Sequence, residues 1–253
     1  MKTDWQPLIA ELTAYRAAGL TLPIWWRDDD ATRSGPRLRK LGRMSRRTGV
    51  PVHIAVVPAR LEPSLVRFCA QRPYAIPLVH GYAHENRAPV GQKKSEFGEP
   101  HPDSAERARE GLKILRNSFG ERLLPIFVPP WNRVAPETVQ ALPALGFTGL
   151  STFAPRSQRL AAPGLVQINT HLDPIDWHNG GGLIAPETLI AQTVRQLQDR
   201  RQGRADPAEP FGLLTHHIVH DSEIWRFAED FLKHMLDGGA LPCDLSRERE
   251  TLP

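Results

Sequence analysis

The stretch that decides the fold is LPIWWRDDD at residues 22–30, an apolar run of strand length that ends in three aspartates. A second run of this kind, IPLVH at residues 76–80, ends in a histidine and continues as GYAH. Apolar runs without alternation are typical of strands buried on both faces of a parallel sheet. Because ligands gather at the C-terminal ends of such strands, the two polar endings mark a candidate functional site.

The rest of the chain alternates strand patterns with amphipathic helical patterns. Such alternation predicts a parallel sheet with right-handed crossovers. Seven strands favour a distorted (β/α)7-type barrel in a single α/β domain, 1–253, over an open doubly wound sheet, since no Gly-rich phosphate loop follows the first strand. The predicted strands are 22–27, 53–57, 76–80, 125–128, 148–152, 165–169 and 212–216. The predicted helices are about 4–18, 35–48, 62–71, 103–118, 135–145, 187–201 and 221–237.

Composition narrows the class of protein. No apolar stretch approaches the roughly 20 residues of a membrane span, and the N-terminus lacks the apolar core of a secretory signal, so we expect a cytoplasmic protein. The net charge is +4, and many of the arginines fall within residues 33–47. We interpret that run as the solvated outer face of a helix, because no nucleic-acid motif accompanies it. Cys69 and Cys243 are predicted to be free buried thiols.

The two polar strand endings contain metal-ligand residue types. His80 and His84 have the i, i+4 spacing that places two imidazoles on one side of a helical turn. With a carboxylate from residues 28–30, they suit a divalent metal such as zinc. His216 and His220 share this spacing, and we rank them lower because no free carboxylate motif adjoins them.

Three other strand endings carry polar or rigid groups. Pro129 and Pro130 lack amide protons, so the Trp131 N–H is the first one free to face a ligand. Asp173, Asp176 and Trp177 follow the sixth strand, and His216 and His217 end the seventh. The stretch 81–102 is longer than an ordinary connection, which indicates a functional loop over a site.

In their order along residues 22–237, these motifs resemble the polysaccharide deacetylase family, also called NodB-homology or carbohydrate esterase 4. The shared elements are Asp-Asp, H-x-x-x-H, P-P-aromatic, D-x-x-D-W and L-L-x-H. The resemblance implies a divalent metal, commonly zinc, held by Asp30, His80 and His84. It implies Asp29 as the catalytic base, although a shift of one residue would make Asp28 the base and Asp29 the ligand.

The resemblance also implies roles for the other strand endings. The Trp131 N–H would face the oxyanion, and His216 would be the acid, with His217 as the alternative. Asp176, or else Asp173, would tune that histidine. Substrate contacts are expected from Trp177, Arg133 and Asp28. The family usually has an arginine at the position of Val128, and Arg133 or Arg27 is expected to replace it.

The function implied is metal-dependent removal of an N-acyl group, in the first instance N-acetyl, from a sugar or related amide. The partner is thus a carbohydrate or another small N-acylated substrate, with no nucleic acid and no membrane span. Two alternatives stay open: a non-catalytic carbohydrate-binding barrel, and an amidohydrolase acting on a small non-sugar amide. Neither the substrate nor the oligomeric state follows from the sequence.

Overall fold

The computed structural model describes residues 3–247, and a mostly parallel sheet forms its centre. The hydrogen-bonded order is β6-β7-β5-β4-β3-β2-β1-β8, with β9 beside β1. Only β6 and β7 pair in antiparallel fashion. The strands are β1 (Pro23–Ala31), β2 (Val52–Val56), β3 (Ala75–His80), β4 (Ile126–Val128), β5 (Gly149–Leu150), β6 (Leu160–Ala162), β7 (Leu165–Gln167), β8 (Phe211–Thr215) and β9 (Leu241–Pro242).

The segment after β7 joins the two ends of this strand path. Leu172 forms a parallel bridge with Leu213 of β8. The Leu214 N–H donates to the Leu172 carbonyl at 2.8 Å, and the His171 N–H donates to the Gly212 carbonyl at 2.7 Å. The architecture therefore fits the predicted distorted seven-stranded barrel, with β6 and β9 as short additions that the sequence did not predict.

Seven α-helices accompany the sheet, close to where the sequence predicted them. Proline begins four of them, α2, α3, α5 and α6, because its missing N–H costs nothing in the first turn of a helix. Within residues 3–247, no helix is both long and apolar enough to cross a membrane. The helices are α1 (Gln6–Ala17), α2 (Pro36–Thr48), α3 (Pro63–Ala70), α4 (Ser104–Phe119), α5 (Pro136–Leu145), α6 (Pro186–Arg201) and α7 (Ser222–Asp237).

Helix α2 shows how the arginine-rich segment packs. Leu38, Leu41 and Met44 are buried, and each contributes about 1.5–3 kcal/mol of burial free energy. The charged residues between them are exposed, as the predicted solvated face requires. Cys69 and Cys243 are buried, and neither forms a disulfide among residues 3–247, which agrees with the prediction of buried thiols.

Strand β1 is longer than predicted, and this places the aspartates inside the sheet. The sequence predicted an end at Arg27, but parallel pairing continues, with Asp28 opposite Ile54 and Thr215. The register shifts between Asp28 and Ala31, and Asp30 adopts a φ of +69°. A bulge of this kind re-aims a side chain within a strand. The three aspartates therefore face three different environments.

Candidate active site

The fold brings together the three predicted metal ligands. Asp30 Oδ1 lies 3.0 Å from Nε2 of His80 and 3.0 Å from Nε2 of His84. One ligand atom from each of the three residues lies within 4.8 Å of the others. This arrangement, which we call the Asp-His-His cluster, lies where β1 and β3 end.

The donor chemistry of the cluster fits a divalent metal. His80 Nδ1 lies 2.9 Å from the Val128 carbonyl, which can only accept, so we assign the proton to Nδ1. His80 Nε2 then directs a lone pair at the Asp30 carboxylate. Two electron-rich atoms this close are stable only with a proton or a cation between them. A metal-ligating histidine is typically oriented in this way by a carbonyl on its other nitrogen.

Contacts within the cluster shift the pKa values of Asp30 and His80. Burial tends to raise the pKa of Asp30, but hydrogen bonds with His80 and His84 outweigh burial and hold that pKa well below its usual range. Burial tends to lower the pKa of His80, and the Asp30 carboxylate more than offsets it, so the pKa is raised. Asp30 is therefore ionised at neutral pH, which is the form that a metal binds.

The two histidines converge through a tight turn. The sequence argument from a helical turn is wrong here, because residues 81–84 are not helical and both Gly81 and His84 have positive φ, +54° and +56°. A Cβ at Gly81 would lie 2.5 Å from Pro130 Cδ and 2.6 Å from Glu96 Oε2. Only glycine fits this position, both for its backbone conformation and for its space.

Glu96 holds this turn in place, and the sequence analysis missed it. Its side chain is fully buried in the loop 81–102. Oε1 accepts from the Ala83 N–H at 2.8 Å, and Oε2 accepts from the N–H groups of Tyr82 at 3.2 Å and His84 at 3.1 Å. Arg107 pairs with Oε1 at 2.8 Å. A single glutamate in a polar loop gave no signal, because its partners are backbone amides that no motif records.

Asp29 is bound by a buried arginine from its own strand. Arg27 Nε lies 2.9 Å from Oδ1 of Asp29, and Arg27 Nη2 donates to Oδ2 at 2.9 Å. Residues i and i+2 lie on the same face of a strand, so β1 itself creates this two-point pair. Nη2 also donates to Asn132 Oδ1 at 2.7 Å, and Nη1 donates to Ser151 Oγ at 2.7 Å. Of the two expected replacements for the family arginine, Arg27 is the one that contacts Asp29.

Arg133 lies elsewhere. Its Nη1 donates to the Lys94 carbonyl at 2.6 Å, and it lines a separate cavity of about 910 Å³ beside Asn132 and Thr152. That cavity does not include the Asp-His-His cluster. The structure therefore does not bring Arg133 to the metal ligands, and its predicted substrate contact stays a prediction for this second cavity.

Trp131 lies directly against the cluster. Its ring centroid is 4.3 Å from that of His84, and its φ is +57°. The next amide, that of Asn132, donates to the Pro129 carbonyl, whereas the Trp131 N–H has no hydrogen-bond acceptor in the part of the chain from 3 to 247. The amide that the sequence singled out is therefore available to a ligand.

The expectation that Asp28 contacts substrate is wrong. Asp28 is fully buried, and both of its oxygens are engaged. Oδ2 accepts from Thr215 Oγ at 2.6 Å and from the His217 N–H at 3.0 Å, while Oδ1 pairs with His217 Nδ1. Asp28 therefore ties β1 to the end of β8. Asp29 and Asp30 therefore stay the predicted base and metal ligand.

His216 packs against Trp177. The Trp177 ring packs edge-on against it at a centroid distance of 4.8 Å, and Trp177 Nε1 donates to Asp173 Oδ2 at 2.9 Å. Burial raises the pKa of Asp173, while the charge of His216 opposes that rise. The carboxylate of Asp176 instead accepts from His178 N–H, Asn179 N–H and Asn179 Nδ2. The structure thus brings Asp173, and not the preferred Asp176, to His216.

His220 does not form a second metal pair with His216. Its Nε2 accepts from the His216 N–H at 3.3 Å, and its ring packs edge-on against Trp225. Burial lowers the pKa of His220 to about 4. The structure therefore supports ranking this histidine pair below His80 and His84.

One open cavity reaches the cluster. It has a volume of about 1070 Å³ and is lined by Asp30 and His84, together with His217 and residues that follow β1 and β2. We call it the metal cavity. Trp177, half exposed at 51%, packs against His216 and remains a predicted wall for substrate.

Comparison with known proteins gives matches in structure. No family model matches the chain, and no curated protein matches it by sequence. A deacetylase solved with its substrate is 13% identical, with a TM-score of 0.59 over 93% of this chain and 94% of that chain. A family 4 acetyl xylan esterase from Clostridium thermocellum, in complex with a cobalt ion, is 11% identical, with a TM-score of 0.52 over 91% of this chain and 92% of that chain.

A third similar structure is a family 4 carbohydrate-esterase pseudoenzyme from Bacillus anthracis. It is 12% identical, with a TM-score of 0.56 over 87% of this chain and 62% of that chain. At such identities the likeness establishes the fold alone. The chain therefore has the fold of the carbohydrate esterase 4 deacetylases, as its motifs predicted. Fold does not imply activity, which depends on the chemistry of the site.

Proposed function

We propose that this protein is a metal-dependent hydrolase that removes an N-acyl group, in the first instance N-acetyl, from an amino sugar or related amide. The observation that carries the proposal is the pairing of two sites on β1. Asp30 belongs to the Asp-His-His cluster, and its neighbour Asp29 is held by Arg27. Ligand and base thus come from adjacent residues, as amide hydrolysis by an activated water requires.

The cluster is the proposed metal site. A divalent ion bound by Asp30, His80 and His84 would supply Lewis acidity and lower the pKa of a water molecule. The cobalt ion in the Clostridium thermocellum esterase supports a divalent metal for a protein of this fold. Zinc as the particular metal, and the cytoplasm as the compartment, stay predictions.

Asp29 is the proposed general base. The two-point contact with the Arg27 guanidinium restricts the rotation of the Asp29 carboxylate. A carboxylate in a fixed position accepts the proton of the attacking water more effectively than a mobile one. Arg27 is in this proposal a positioning residue, since its partners are Asp29, Asn132 and Ser151 and not the substrate.

The oxyanion and the leaving amine require donors. The free N–H of Trp131, next to His84, is the proposed oxyanion donor, and one well-placed donor contributes about 3–4 kcal/mol. His216 is the proposed acid for the leaving amine, because it lies beside Asp173 and Trp177. His217, the alternative acid, is committed to Asp28 through Nδ1.

A non-catalytic carbohydrate-binding barrel is the second candidate. The observation in its favour is Val128 at the position of the family arginine, together with the pseudoenzyme among the similar structures. The Arg27–Asp29 pair favours catalysis, because it supplies the same charge from a different strand. An amidohydrolase acting on a non-sugar amide would use the same residues. A panel of sugar and non-sugar amides distinguishes these candidate functions.

The test combines metal analysis with acetate release on one preparation. Wild-type protein should hold about one divalent ion, and His80→Ala and His84→Ala should lose it. Asp29→Asn should keep the metal and lose turnover of acetylated amino sugars, since the base is removed without removing a ligand. If both histidine variants keep the metal and His216→Ala loses it, the metal site has been assigned to the wrong histidines. Binding without acetate release would favour the non-catalytic barrel.

A further inference from the structure

The metal cavity has a basic rim that the proposed chemistry does not use. Arg33, Arg37 and Arg60 line the cavity, and all three side chains are exposed. They come from different segments: the connection after β1, the first turn of α2, and the 3-10 turn Pro58–Arg60 after β2. We call these three residues the basic rim.

The charges of the basic rim are poorly compensated. Arg33 has one carboxylate partner, Glu62, at 3.9 Å, and both side chains are more than half exposed. Arg37 donates to the Ile218 carbonyl and has no acidic partner, and Arg60 makes no ion pair among residues 3–247. Three guanidinium groups thus share one distant carboxylate. By contrast, Arg47 on the outer side of α2 pairs with Glu229 at 2.8 Å.

We infer that the substrate carries an anionic group, a phosphate or a carboxylate, close to its N-acyl amine, and that the basic rim binds this group. The inference rests on the proposed function for the location of the acyl group. A guanidinium group matches the geometry of both anions, and clustered positive charge at a cleft also raises the rate of encounter with an anion.

The size of the cavity is consistent with such a substrate. Its volume of about 1070 Å³ is slightly above the roughly 300–1,000 Å³ of ordinary small-molecule pockets. A sugar with a charged substituent fits in this space. Two carboxylates line the cavity, and both have partners: Asp30 pairs with His80 and His84, and Glu62 pairs with Arg33.

The experiment compares neutral and anionic ligands on the metal-loaded protein. Isothermal titration is performed with N-acetylglucosamine, its 6-phosphate, and N-acetylmuramic acid as the carboxylate probe, using Asp29→Asn protein to suppress turnover. At low salt we expect at least one anionic ligand to bind more tightly than the neutral sugar by about five-fold or more, the equivalent of about 1 kcal/mol. The stronger of the two anionic ligands identifies the chemistry of the group, and high salt should reduce the preference.

Variants then assign the preference to the rim. The double variant Arg33→Met/Arg60→Met should bring the anionic and neutral affinities close together. The matched control is Arg109→Met, which removes an exposed arginine of α4 that does not line the cavity and should leave the preference unchanged. Thermal unfolding of each variant verifies that these exposed substitutions leave the fold intact.

The outcomes separate this inference from the proposed function. Equal affinity for neutral and anionic ligands overturns the inference, whether or not acetate is released. A preference that stays undiminished in the double variant also overturns it, because two of the three guanidinium groups of the rim are then absent. If the preference disappears with the rim but wild-type protein releases no acetate from any probe, the inference stands and the proposed hydrolysis fails.

Discussion

Glu96→Gln provides the sharpest test of how the loop 81–102 serves the metal ligands. Both oxygens of Glu96 accept backbone N–H groups, from Ala83 on one side and from Tyr82 and His84 on the other. Glutamine has one oxygen, so its NH₂ group must face an N–H donor in either orientation. A buried donor left without an acceptor costs about 1–3 kcal/mol. With one or two donors lost, we expect the free energy of unfolding of the metal-free protein to fall by about 2–4 kcal/mol.

The same substitution should weaken metal binding. Groups that orient metal ligands typically change metal affinity by about 10–100-fold when they are removed, and Glu96 fixes the turn that carries His84. Competition with a chromophoric chelator measures the affinity, and urea unfolding in the presence of a chelator measures the stability. Glu85→Gln is the matched control, since Glu85 is exposed and lies 3.6 Å from the same Arg107. If Glu96→Gln lost stability but bound metal as tightly as the control, the loop would not position the ligands.

Three further predictions concern the surroundings of the cluster. Arg27→Met leaves the buried Asp29 carboxylate without its cation, so we expect urea unfolding to show a loss of about 3–5 kcal/mol in unfolding free energy, with Arg27→Lys recovering part of it. Gly81→Ala should lower both stability and metal affinity, because its Cβ would collide with Pro130 and Glu96. The control Gly91→Ala, with φ +86° and open space around it, should show the effect of backbone strain alone. Equal effects of the two substitutions on metal affinity would contradict this prediction. Burial lowers the pKa of His53 from 6.5 to about 4, so between these pH values the unfolded chain holds one more proton than the folded chain. The free energy of unfolding should therefore keep its full value above pH 6.5 and fall by about 3 kcal/mol towards pH 4. Urea unfolding of His53→Gln at the two ends of this range should show a smaller fall.

His53 also shows why this pH dependence is a tertiary effect. Its Nδ1 lies 3.1 Å from the Trp26 carbonyl, and its Nε2 accepts from the Leu245 N–H at 3.2 Å. The neutral ring satisfies both contacts, and protonation would remove the acceptor for Leu245. Nothing in the local sequence around His53 indicates that residue 245 is its partner.

Much of the fold followed from local patterns. The unbroken apolar runs and the amphipathic helices predicted a parallel β/α architecture, because period and burial are properties of neighbouring residues. The meeting of the aspartates with His80 and His84 also followed, since parallel strands end on the same side of a sheet, and the family resemblance implied Asp30 as the aspartate among the predicted metal ligands. The mechanism by which His80 and His84 converge did not follow, because it depends on positive φ at Gly81 and His84 and on contacts with Pro130.

The opening stretch shows where sequence stops and tertiary structure begins. The sequence by itself determined that residues 22–27 form a buried strand that ends in three carboxylates at a site. Only the tertiary structure decided the separate surroundings of these carboxylates: Asp28 against His217, Asp29 against Arg27, and Asp30 against the two histidines. The physical reason is that adjacent strand residues alternate between faces and a bulge changes that alternation. Asp28 and Asp30 therefore meet partners far away in the chain, whereas Asp29 pairs with Arg27 on its own strand.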